Sequence, residues 1–163
     1  MEEYNKLYAR NKLLDKFFMN KYKNEEDKYY EKNCLELIVE LCEFANESKC
    51  FKYWSVKKAN KELLLEEYAD SLLMVLYMFN TYNIDSVEVR EIPMSLDILG
   101  LFNELIRMCT LLMGKCHVDG DLLKNIFSYL YNIGKMLDLN DDEILDACYK
   151  KIEKNEERLN SNY

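Results

Sequence analysis

Leu72–Phe79 leaves this chain the fewest options. It reads LLMVLYMF, apolar at every position, so no rotation of a helix gives it a wet face. The residues leading into it, KELLLEEYADS, are mostly strong helix formers. The segment from about 60 to 80 is therefore expected to be one helix running through the centre of a helical domain. Asp70 lies one turn before the run, aligned with Leu63, Leu73 and Tyr77. A carboxylate at the edge of a core is seldom left without a partner. One layer of helices could hardly cover such a run completely, which points to a second copy of the chain.

With one proline and four glycines in 163 residues, few points interrupt the chain and long helices are favoured. Six can be placed, over about 3–20, 27–48, 60–80, 95–114 and 121–138, with a sixth ending near 159. The sixth opens on Asn140 with Glu143 three residues on, the pattern of a capping box. NTYNIDSVEVREIPMS (80–95) is the one long connection and holds the proline, and His117-Val118-Asp119-Gly120 reads as a turn. No segment alternates with period two, and nothing repeats. The expectation is an all-α fold in a single domain spanning 1–163. On the first helix Tyr4, Leu7, Leu14 and Phe18 form an apolar stripe, with Asn11 on it and Asp15 beside it. Those two polar groups are either solvated at the stripe's edge or turned towards a bound ligand.

A net charge of −8 opposes a surface for nucleic-acid polymers, which needs clustered Lys and Arg. No stretch approaches a membrane span, and the opening MEEYNKLYARNK has no apolar leader core. The six cysteines form no C-x-x-C pair and His117 is the only histidine, so a zinc site is not expected. The same lack of histidine weighs against a di-iron or di-manganese bundle, which uses Glu-x-x-His steps. Most cysteines sit in apolar helical sequence and read as small core residues of a cytoplasmic protein.

Two acidic steps stand out against this background: Glu40 with Glu43, and Glu67 with Asp70. A spacing of three puts both carboxylates of a step on one side of a helix. Two such steps brought together would gather four negative charges, which needs a positive centre between them. A hard divalent cation with oxygen ligands fits, and magnesium is the usual one where phosphates are handled. Glu36, Glu40, Glu43 and Glu47 also read as a plain solvated face of an amphipathic helix. Lys151, Asn155 and Arg158 share a helix face suited to a phosphate chain, or form the solvated basic end that a helix dipole favours.

ELCEFANESKCFKYWS followed by LLLEEYADSLLMVLY resembles the dimeric, all-α dUTPases of the wider MazG-like superfamily of nucleoside triphosphate pyrophosphohydrolases. The matching pattern is Glu40 and Glu43, then Asn46-Glu47, then Phe51-Lys52-Tyr53-Trp54, then Glu67 and Asp70. At the C-terminus Lys151, Asn155, Arg158 and Tyr163 stand in the family's register. The resemblance implies a bundle of about six helices around a four-helix metal-binding core, and a homodimer. It further implies hydrolysis of dUTP to dUMP and pyrophosphate, with two or more Mg2+ held by Glu40, Glu43, Glu67 and Asp70. Glu43 would orient the attacking water. Lys52, Lys151, Asn155 and Arg158 would hold the phosphate chain, Tyr163 would close over the nucleotide, and Trp54 and Asn11 would meet the base. Asn11 stands where the family commonly has Gln, and Leu72-Leu73-Met74 where it has Leu-His-Phe. Leu159 and Asn162 replace a Gln and a Gly. These departures leave open dCTP or another pyrimidine nucleotide, or a non-catalytic helical interaction protein retaining the acidic site.

Overall fold

The structure, a computed structural model, describes residues 1–21, 29–92, 96–115 and 119–161. It has the helices α1 (Glu2–Lys21), α2 (Tyr29–Ser48), α3 (Lys61–Thr81), α4 (Ile98–Met113), α5 (Gly120–Met136) and α6 (Asp141–Asn160). Among the described residues there is no strand, and the fold is all-α as expected. Local chemistry sets the starts. The Asn60 side chain accepts from the Glu62 and Leu63 amides, Asp97 from Gly100 and Asp119 from Leu122, each taking up an otherwise orphan donor. Asn140 and Glu143 complete the reciprocal capping box. Asp97 moves the start of α4 to Ile98, a little beyond the sequence estimate. Pro93 and His117 lie outside the described residues. Lys49, Asn83 and Asp138, just past α2, α3 and α5, take left-handed backbone at φ 59°, 57° and 56° and turn the chain. Asn and Asp tolerate that conformation better than Lys does.

α3 is the axis of the molecule. It packs against α1, α2, α5 and α6; α4 bridges α2 and α5, and α1 also lies on α6. All of Leu72–Phe79 is buried except Tyr77, which is half-buried. The chain thus covers this run by itself, because helices on four sides enclose it, and no second copy is needed for that purpose. Phe44, Tyr68 and Phe127 are fully buried beside it. Tyr68 meets Phe44 edge-on at 5.2 Å between ring centroids. Gly134 on α5 admits this packing, since a Cβ there would fall 2.8 Å from Tyr68 Cε2.

Phe18 is not on the buried stripe of α1. From Lys16 onward every residue of that helix is exposed, although Met19 Sδ still accepts from the Tyr77 hydroxyl and Lys21 donates to the Leu159 carbonyl. Cys34, Cys109 and Cys148 are core residues, whereas Cys42 is exposed and Cys50 half-buried. The connection after α3 is an extended strap. The Asn5 side chain donates to the Val87 carbonyl at 3.2 Å and accepts from the Val87 amide at 3.0 Å, mimicking a strand neighbour. Tyr8 holds the Ile84 carbonyl and Ser128 the Arg90 amide. The strap therefore closes the end of α3 against α1 and α5.

Candidate active site

The two acidic steps lie on facing helices. Glu40 of α2 and Glu67 and Asp70 of α3 offer carboxylate oxygens all within 4.8 Å of one another. Among the described residues this is the only group of three or more His, Cys, Asp or Glu side chains so placed. Glu43 does not join it. Glu67 and Asp70 show that a spacing of three allows both members of a step to join, so it is the rotation of α2 against α3 that leaves Glu43 exposed beside the cluster. Its charge nevertheless reaches Glu40 and Glu67.

Electrostatics mark the triad as short of positive charge. Burial, then Asp70, Glu43 and Glu36, push the Glu40 carboxyl up to about 7. Burial, then Glu43 and Asp70, raise Glu67. Burial also raises Asp70, opposed by Lys151. That lysine is where the sequence left two readings. Its Nζ lies 2.6 Å from Asp70 Oδ2, and its side chain is only 14% exposed, so it is not a solvated tail residue. Glu66 Oε1 stands 3.7 Å from the same Nζ and 3.3 Å from Lys154 Nζ. Glu66, Lys151 and Lys154 line a groove of about 410 Å³ between α3 and α6.

The loop between α2 and α3 is drawn back onto the end of α2. Lys52 donates to the Asn46 side chain, and Lys49 pairs with Glu47 at 3.0 Å. Trp54 is 64% exposed and touches Phe51 and Tyr53 edge-on, which removes core packing within this chain as its role. On α6, Asn155 is half-buried and Arg158 exposed. Asn162 and Tyr163 lie outside the described residues.

Asn11 is buried on the other flank of α3. Its amide donates weakly, at 3.4 Å each, to Asp15 Oδ1 and the Leu73 carbonyl. Asp15 is 5% exposed and accepts from the Asn80 amide at 3.0 Å. Burial pushes its carboxyl up to about 7, with Asn80 and Lys12 opposing. So Asn11 and Asp15 are not solvated at the edge of a stripe. Sequence reasoning missed Asn80 and Glu66. Asn80 follows the apolar run directly, and Glu66 is spaced i, i+4 with Asp70; both spacings were legible, but neither says which helix lies opposite.

Three buried-edge carboxylates from two helices, with oxygen as the only donor type and burial opposing charge on each, fit a hard divalent cation. A family model described as dUTPase matches residues 3–163. No curated protein matches the chain. The family is generally dependent on a divalent metal and acts on a nucleotide. No helix among the described residues is long and apolar enough to cross a membrane. With the match running almost from end to end over a fold whose described elements are all helices, the chain belongs to the all-α dUTPase family and is a dUTP diphosphatase, a hydrolase.

Proposed function

We propose that the protein hydrolyses dUTP to dUMP and pyrophosphate with Mg2+ at the Glu40–Glu67–Asp70 triad, Glu43 completing the set around two or more ions. The observation that supports this most directly is the convergence of three oxygen donors within 4.8 Å. Bound magnesium would neutralise phosphate charge and acidify a water. The chain's own side chains then have separate tasks. Glu43, exposed beside the triad, orients the water for in-line attack. Lys52, Lys151, Asn155 and Arg158 hold the phosphate chain by charge-assisted hydrogen bonds. Trp54 offers a ring face to the base, and Tyr163 closes over the nucleotide.

Asn11, Asp15 and Asn80 form the base-reading edge. Asp15, with its carboxyl pushed up to about 7, presents a hydroxyl donor when protonated and an acceptor when ionised. The donor suits a uracil carbonyl and the acceptor a cytosine amino group, which keeps dCTP as the second reading. The deciding experiment is pyrophosphate release from each deoxynucleoside triphosphate, with magnesium and with chelator. Magnesium-dependent turnover confined to dUTP is expected. Faster turnover of dCTP would transfer the assignment, and full activity in chelator would remove the metal from it.

A homodimer in the cytoplasm completes the reading. Leu13 and Phe17 on α1, and Leu35 and Val39 on α2, are exposed at i, i+4 spacing, giving each helix an apolar outer strip that a second copy could cover. Sedimentation at micromolar concentration should give twice the 19.6 kDa chain mass. A species at the chain mass alone would exclude the dimer.

A further inference from the structure

Resting on the metal reading above, we propose that Lys151 is the resident counter-ion of the carboxylate triad, which a divalent cation must displace, and that Glu66 is the positioning residue that receives it. Lys151 Nζ occupies Asp70 Oδ2 at 2.6 Å. That carboxylate belongs to the triad, so the ammonium and a metal ion compete for it. Neither side chain has easy recourse to water, with Lys151 14% and Asp70 17% exposed. The only other carboxylate paired with Lys151 among the described residues is Glu66, at 3.7 Å. A rotation of the terminal lysine torsions that moves Nζ by about 1 Å makes that pair a full hydrogen bond. The groove between α3 and α6 gives the side chain room to turn. Glu66 already holds Lys154 at 3.3 Å, and Lys154 is half exposed, so it can yield its place to solvent as Lys151 arrives.

This arrangement links two events. Without nucleotide, the lysine holds the metal affinity down. A triphosphate supplies another anion for the released ammonium, so metal and nucleotide favour each other's binding. Lys151 then positions the phosphate chain only after leaving Asp70. Glu66 acts through Lys151 and never meets the metal itself.

Divalent-cation binding to the nucleotide-free protein tests the proposal, with Mn2+ as the paramagnetic probe and Mg2+ in calorimetry, on chains whose helicity is first verified. Lys151→Met should bind Mn2+ about tenfold more tightly than wild type, within the usual range of coupling between two sites. Glu66→Gln, which keeps Lys151 on Asp70, should bind it several-fold more weakly, and Glu66→Asp should recover most of that loss. Addition of a non-hydrolysable triphosphate should tighten Mn2+ binding in wild type and much less in Lys151→Met. Unchanged or weaker Mn2+ binding in Lys151→Met, with wild type binding normally, would overturn the exchange and leave Lys151 as a structural staple. Absence of divalent binding in wild type and variants alike would overturn the metal reading itself, and the exchange with it.

Discussion

Asp70→Asn should lower magnesium-dependent dUTP turnover by at least about a thousandfold, since losing one carboxylate from a metal cluster removes several kcal/mol of charge stabilisation. Helicity should be retained, because the amide keeps the shape and Lys151 still has Glu66 within 3.7 Å. Glu40→Gln should be equally inactive yet differ in stability. With its carboxyl pushed up to about 7, ionised Glu40 opposes folding. That penalty is absent below the ordinary glutamate range, grows as pH rises, and is complete above about 7. Metal-free Glu40→Gln should therefore be more stable than wild type by about 1–3 kcal/mol at alkaline pH and level with it in acid. Urea unfolding in chelator reads the difference. Near-normal turnover in either variant would remove the triad from the mechanism.

Asp15→Asn should stabilise the folded protein at neutral and alkaline pH. The folded protein keeps a proton on Asp15 up to about pH 7, whereas the unfolded chain releases it near the ordinary aspartate value. Between those limits the unfolded state binds fewer protons, so stability falls as pH rises. A shift of that size corresponds to about 2–4 kcal/mol, all of it lost above the folded-state value. The amide carries no such penalty. The stability difference between Asp15→Asn and wild type should widen from about pH 4 to about pH 7 and level off above that. A difference that stays flat over that range would mean Asp15 ionises without resistance. It would then not be the switchable group at the base-reading edge.

The fold was legible because its instructions are local. Asn140 and Glu143 announce the start of α6 within four residues, and the run Leu72–Phe79 identifies the central helix without reference to any neighbour. The site was legible in part. Spacing brought out Glu40, Glu67 and Asp70, but leaving Glu43 at the side depends on how far α2 is rotated against α3, and no local pattern encodes that. Lys151 shows the same limit. Its spacing with Asn155 and Arg158 offered a phosphate ligand or a solvated end, whereas the packing of α6 on α3 gives it Asp70. Asn11 and Asp15 were ambiguous for a related reason. Whether a polar group on an apolar stripe is wet depends on the helix across from it, here α3, with Leu73 and Asn80.

The attachments of α1 bear on how such a chain matures on the ribosome. Among the described residues α1 packs on α3 and α6, and its Tyr4 ring also meets Phe127 and Tyr131 of α5 edge-on. Its side-chain bonds reach forward to Leu73, Asn80, Ile84 and Val87, then to Asp141 and Glu156. It precedes the other five helices in sequence; its first packing partner, α3, begins about forty residues after α1 ends, and its last is present only when α6 is out. Contacts so distant in sequence are slow to form and leave α1 exposed while translation continues. The acidic steps are synthesised well before Lys151, which comes from the same late helix that anchors α1. An interrupted nascent chain thus carries the carboxylates without the lysine or the docked first helix. The pocket is therefore complete only once α6 has been made.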